Sequence, residues 1–158
     1  MHVTVKGTNQ NFRDLLTEAA RFFANILMDP RMVRNLNIDI EVSKLDICGE
    51  CVDEEGTRNP RWFTIGLKNQ PIEEMIKTLA HEMVHVKQHA KNELQTGHVI
   101  ATRGGGLKIS SRWKGEIWKP KRQEHPYFDS PWEVEAFGKE VGLFQRYVAF
   151  RDKVAGIV

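Results

Sequence analysis

The chain reads as one α+β domain. Long stretches carry apolar residues at three- and four-residue steps, shorter ones alternate apolar with polar residues, and the length suits a single core. With 158 residues, 41 % hydrophobic and 28 % charged, it can bury that core without disulfide or metal staples. No stretch approaches the roughly 18 apolar residues of a membrane span, and the opening MHVTVKGTNQ lacks the apolar run of a secretory signal. A single domain over 1–158, in the cytoplasm and with no membrane partner, is the expectation.

The elements follow in order. Phe12, Leu15, Leu16, Ala19, Phe22, Phe23, Ile26 and Leu27 mark an amphipathic helix that Asp29-Pro30 stops. Ile38, Ile40 and Val42 alternate with polar residues in a half-buried strand, and Phe63, Ile65 and Leu67 mark a second. The acidic, glycine-containing segment between them is expected to be a long hairpin connection. Pro71 suits the first turn of a helix over 72–94. Residues 96–130 are broken by Gly104-Gly105-Gly106, Lys114-Gly115, Pro120 and Pro126, with short strands at 107–113 and 116–118 joined by a tight turn. A last helix, capped by Asp129 or Ser130, starts near Pro131-Trp132 and runs to about Lys153.

The 72–94 helix carries His81-Glu82-Met83-Val84-His85, an H-E-x-x-H motif. Residues four apart lie on adjacent turns of one face, so both imidazoles can reach a single Zn²⁺, with Glu82 beside them as a proton acceptor. On a helical wheel with His81 at zero, Ile72, Met75, Ile76, Leu79, Met83, Val86, Ala90 and Leu94 fall between about 120° and about 220°. His85 falls at about 40° and Glu82 at about 100°. The histidines therefore point away from the apolar stripe, as metal ligands would and core histidines would not.

A catalytic zinc site typically takes three protein ligands and keeps one position open. His89 lies about 12 Å along the axis from His81, too far to share the ion with it. The longer motif with a third histidine on the same helix fails, because Gln88 and Lys91 stand at its last fixed positions. His98, His125, Glu133 and Glu135 remain. In the last helix Glu133 sits near the centre of an apolar arc that includes Ala136, Phe137, Leu143 and Tyr147. Glu135 points about 160° from that centre, beside Lys139. An inward carboxylate is costly unless paired or metal-bound, which favours Glu133. Glu140 is also inward, and suits holding a ligand or pairing with a base.

The formal charge of +2 conceals a split. Residues 39–55 carry seven acids against one lysine, and residues 103–122 carry seven basic residues against one glutamate. In the basic run Arg112, Trp113, Lys114, Trp118, Lys119, Lys121 and Arg122 interleave cations with aromatics, a pattern that can contact phosphates and stack bases of DNA. Cys48 and Cys51, in C-G-E-C, supply only two of the four ligands of a structural zinc site, and read as a turn between strands whose thiols stay reduced.

The stretch Thr78-Leu79-Ala80-His81-Glu82-Met83-Val84-His85 resembles SprT-like proteases. Glu133-Val134-Glu135-Ala136 is similar to the E-x-x-A stretch of compact glutamate-ligand zincins, where a later helix opens with the third ligand. Phe137 follows where many of those families place Asp or Asn. Trp113-Lys114-Gly115 followed by 131–136 resembles a small group of phage and bacterial SprT-like peptidases. The resemblance covers about residues 37–150. It implies a zincin-like fold and a zinc metallopeptidase.

Together these readings give an expected mechanism. His81, His85 and Glu133 hold Zn²⁺, Glu82 moves the proton, and the 63–67 strand, taken as a sheet edge, pairs with an extended protein or peptide substrate. Tyr127, His125 and Arg112 are candidates for one more donor to the oxyanion. The alternative is a metal-containing nucleic-acid-binding or regulatory module that cuts nothing.

Overall fold

Each of the first two helices begins at a side chain that accepts from its free amides. The computed structural model describes residues 1–101 and 107–156, of which 98–101 and 107 as backbone only. After β1 (His2–Lys6), the Asn9 side chain accepts from the Phe12 amide at 3.0 Å and opens α1 (Gln10–Leu27). Leu16, Ala19, Ala20, Phe23 and Ala24 form its buried face. Asp29 does more than stop α1. Its carboxylate accepts from the Arg31 and Met32 amides and caps the short α2 (Pro30–Arg34), with Pro30 at the first turn.

A four-stranded sheet joins β1, β2 (Asn37–Ser43), β3 (Gly49–Asp53) and β4 (Trp62–Lys68) in the order β1-β2-β4-β3. The first three in that order are mutually parallel, and β3 alone runs antiparallel, with Cys51 opposite Ile65. Two expectations are corrected by this topology. β2 and β4 are parallel neighbours, so the acidic segment between them is no hairpin connection; it contains β3, which makes the hairpin with β4. Nor is β4 an edge strand. It lies between β2 and β3 and buries Phe63, Ile65, Gly66 and Leu67, while β3 forms the edge.

α3 (Ile72–Ala90) lays the expected stripe of Met75, Ile76, Leu79, Met83, Val86 and Ala90 into the core. The helix ends four residues earlier than its periodicity suggests. Lys91 caps it and Asn92 turns left-handed at φ 59°, so Leu94 opens β5 (Leu94–Ala101) instead of closing the helix. β5, β6 (Leu107–Trp113) and β7 (Glu116–Ile117) make a second, antiparallel sheet. Lys114 and Gly115, at φ 50° and 89°, form the tight turn between β6 and β7.

α4 (Pro131–Val154) packs along α3 and touches α1. Its buried stripe is narrower than the sequence suggests. Glu133, Ala136, Leu143 and Tyr147 are buried, but Val134, Phe137, Val141 and Phe150 are exposed. The helix meets the body along one line, so residues flanking that line stay at the surface. Among the described residues no helix is long and apolar enough to cross a membrane.

Tyr147 fixes the far half of α4. Its ring meets Phe22 and Phe23 at centroid distances of 5.5 and 5.8 Å, and its hydroxyl donates to Glu18 at 2.8 Å. Tyr147→Ala is expected to destabilise the fold by about 3–5 kcal/mol, as other large-to-small aromatic core changes do. Urea unfolding monitored by circular dichroism checks this; a loss under about 1 kcal/mol would mean that α4 docks without it.

Candidate metal centre

The last three turns of α3 are buried on every side, including His81, Glu82, His85, Lys87, Gln88 and His89. One side packs on the sheet. The side carrying the histidines is covered by α4, whose first turn brings Glu133 over them. The Nε2 atoms of His81 and His85 lie 3.2 Å apart. Glu133 Oε2 is 3.3 Å from His81 Nε2, and Glu133 Oε1 is 3.5 Å from His85 Nε2. Two bonds of about 2.0–2.1 Å at a tetrahedral angle separate their donor atoms by about 3.3–3.4 Å. The three observed separations match.

The far nitrogens decide what these near ones carry. His81 Nδ1 lies 3.0 Å from Glu140 Oε2, an acceptor, and so must donate to it. His85 Nδ1 lies 2.8 Å from Gln88 Oε1. The amide of Gln88 cannot turn round, because its Nε2 donates to the Trp132 carbonyl at 2.9 Å and to Glu135 at 3.0 Å. His85 Nδ1 therefore donates too. In the neutral tautomers thus fixed, both Nε2 atoms present lone pairs, to each other and to a carboxylate. Glu133 Oε2 is buried with no hydrogen-bond partner. Three acceptors converge with no donor from either imidazole, and His81, His85 and Glu133 are the group among the described residues that could hold a metal ion.

Without a metal, protons are the other way to meet these acceptors: burial raises the Glu133 pKa, but protonated His81 and His85 donating to it would outweigh this and lower it to about 2. Burial lowers the His81 pKa, yet Glu133, the Glu82 charge and Glu140 together raise it above its ordinary value. Protons therefore compete with a metal for His81, and metal uptake weakens on acidification. Glu82, 5 % exposed, is pushed up to about 6 by burial first; His85 and His81 pull it down, while Glu133 and Glu50 push it up.

Strand β3 runs past this group at close range, and Gly49 makes that approach feasible. A Cβ at position 49 would lie 2.6 Å from Thr78 Cγ2 and 2.8 Å from Glu82 Oε1. From sequence alone this glycine belongs to a turn between strands, whereas it opens β3. Its only signal was a glycine between polar residues, which is too common to single it out. Nearby, the Cys51 thiol is held well above its usual pKa by burial first and then by Glu82 and Asp53. Cys48 is exposed and both cysteines are free, Cys51 within β3 and Cys48 just before it.

The other candidates separate clearly. Glu135 is no ligand and does not face solvent: it turns toward α3, accepting from Lys87 at 2.8 Å and from Gln88. His89 is buried near Phe63. The side chain of His98 lies outside the described residues, as do Arg103 and Gly104-Gly105-Gly106. His125 is exposed, and its Nδ1 accepts from the Tyr127 and Phe128 amides, shaping the turn before α4. Tyr127 does reach the group. Burial, then the charge and hydrogen bonding of Glu133, raise its pKa to about 12, so it remains a proton donor at neutral pH. Arg112 is half-buried with its Nε unpartnered, and no hydrogen bond or ion pair among the described residues joins it to the histidines or Glu133.

In the basic segment, Trp113 and Trp118 pack against Trp132 at centroid distances of 6.4 and 5.1 Å. Lys114 lies over the Trp113 ring, 5.2 Å from its centre. The tryptophan rings thus have partners within the protein. Lys119, Lys121 and Arg122 are exposed, with Lys121 3.7 Å from Glu124.

No protein-family model, no curated protein and no solved structure matches this chain.

Two variants test that geometry. Glu133→Ala should abolish stoichiometric zinc binding, whereas Glu135→Ala, which only frees Gln88 and Lys87, should weaken it by no more than about 10–100-fold. Competition with a chromophoric chelator measures both, and equal losses would remove Glu133 from the ligand set. Gly49→Ala should drive β3 away from α3 and destabilise the fold by about 1–3 kcal/mol, as overpacking does. Thermal unfolding unchanged from the parent chain would show that the strand tolerates a side chain there.

Proposed function

We propose that this chain is a zinc-dependent endopeptidase with a zincin-like fold, its site similar to those of SprT-like and glutamate-ligand zincins. One observation carries the reading: Glu82, buried and shifted toward neutrality, adjoins a converging His81–His85–Glu133 group beside the open edge of a sheet. Two imidazoles and one carboxylate suit zinc better than magnesium or calcium, which favour all-oxygen shells. When bound, Zn²⁺ supplies Lewis acidity, polarising the scissile carbonyl and lowering the pKa of water in its open position toward about 7.

The remaining chemistry belongs to the chain. Glu82, with a pKa of about 6, is ionised at neutral pH and takes a proton from the attacking water. In its protonated form it is weak enough as an acid to hold the proton, and strong enough to hand it to the departing amine. Tyr127 keeps its own proton and donates a hydrogen bond where negative charge grows on the carbonyl oxygen. Glu140 and Gln88 hold the two imidazoles in the orientation that aims Nε2 at the centre. The outer edge of β3 offers unpaired backbone groups to an extended peptide, which adds to the sheet as a strand above Glu82.

Glu82→Gln is the discriminating variant. It keeps the shape and the metal ligands but cannot accept a proton, so zinc content should stay near one per chain while hydrolysis falls by about 10²–10⁴-fold. Metal analysis with a casein or fluorogenic-peptide assay reads both. Undiminished cleavage would remove Glu82 from the base role, and absence of cleavage by the zinc-loaded parent chain would sink the peptidase reading.

A further inference from the structure

We propose that the exposed aromatic wall beside the metal centre is a side-chain subsite selecting substrates with a bulky apolar residue next to the cleaved bond. This rests on the peptidase reading and names its substrate class. Phe137 is 44 % exposed, yet its ring meets the ring of His81 edge-on at a centroid distance of 4.7 Å. Phe128, 57 % exposed, packs on Phe137 at 6.1 Å, and Tyr127 packs on Phe128 at 5.1 Å. The surface is therefore continuous from a metal-binding imidazole outward to solvent.

The wall extends along α4. Val134 and Val141, 56 % and 51 % exposed, stand three residues before and four after Phe137, on the same side of the helix. Single exposed apolar residues are ordinary, but a cluster that starts at a metal ligand is not. Its occupant is identified by what lies around it. Among the described residues, the other flank of the centre is the polar edge strand β3, whose backbone groups suit an extended main chain. A peptide held there by its backbone presents successive side chains to opposite faces, and one of them meets Phe137 and Phe128. Those rings carry no charge and no free donor, so they stabilise an aromatic or large aliphatic side chain and give nothing to an acidic or small one.

The experiment uses the full chain loaded with zinc. Cleavage sites of the parent chain in a peptide mixture are read by mass spectrometry. Binding of labelled, uncut peptides to the Glu82→Gln variant is read by anisotropy, with Phe, Leu, Ala or Glu at the varied position. The expected result is cleavage sites clustering beside Phe, Tyr, Leu or Met, with the Phe peptide bound about 10-fold or more tighter than the Glu peptide. Phe137→Ser and Phe128→Ser, each combined with Glu82→Gln, should flatten that ratio while zinc content and thermal stability hold, and Phe137→Leu should restore it.

A ratio that is flat in Glu82→Gln, or that survives both serine variants, overturns the inference whatever the parent chain cleaves. A concentration-dependent dimer dissolved by Phe137→Ser also overturns it, since the wall would then be covered by a second copy. Selective binding by Glu82→Gln without any cleavage by the parent chain leaves the subsite standing and removes the peptidase reading alone.

Discussion

A carboxylate buried beside two imidazoles whose remaining atoms are lone pairs is the constraint around which α3 and α4 are arranged. Glu133 is 5 % exposed, and its burial works against ionisation unless His81 and His85 donate to it, which in their neutral tautomers they do not. An uncompensated buried charge costs several kcal/mol, and the Oε2 atom of Glu133 has no hydrogen-bond partner. Glu82 and Glu140 add negative charge close by, and Lys77 sits 4.0 Å from the far oxygen of Glu140 on a half-exposed side chain. The surplus charge is negative and the facing atoms are acceptors. A divalent cation answers both demands at one point, and its binding energy would add directly to the stability of the α3–α4 contact.

That contact explains why so much polar surface is buried in the last three turns of α3. The helix could not carry His81, His85 and Gln88 on a solvent face and still hold them still. α4 covers them, tied at one end by Lys87 between Glu93 and Glu135 at 2.6 and 2.8 Å, and at the other by Tyr147 on α1. A site built between two long helices takes its precision from their packing. Its open side is left to the shorter elements, β3 and the turn that carries Tyr127.

Much of this was legible in the sequence because it is periodic. The amphipathic stripes of α1, α3 and α4 and the alternation in β2 and β4 are local signals, and the H-E-x-x-H spacing places two histidines on one helix face by geometry alone. The choice of Glu133 over Glu135 followed from helix direction. What escaped is non-local. β3, with the sequence GECVD, has too few β-favouring residues to announce itself, and it exists because β4 offers a partner along its whole length. The parallel pairing of β2 with β4, and hence the identity of the edge strand, depends on where β3 returns. Leu94 fits the helical stripe of α3 by spacing, yet the left-handed Asn92 ends the helix before it. The width of the α4 stripe was overestimated because periodicity ranks residues by hydrophobicity, not by what faces them.

Glu133 and Glu135 show how two carboxylates a residue apart divide one task. Two positions along the helix turn them about 200° from one another, so only one can reach the lone pairs of both histidines. The other is bound into the same centre at one remove. Glu135 accepts from Gln88 Nε2, the Trp132 carbonyl accepts from the same nitrogen, and the opposite end of that amide must then offer its oxygen to His85. His85 has its tautomer chosen by this relay, just as His81 has its own chosen by Glu140, about two turns beyond Glu133 along α4. The ring at Phe137 then has a physical sense: the carboxylate that meets His81 comes from position 140, and position 137 is left free for a ring.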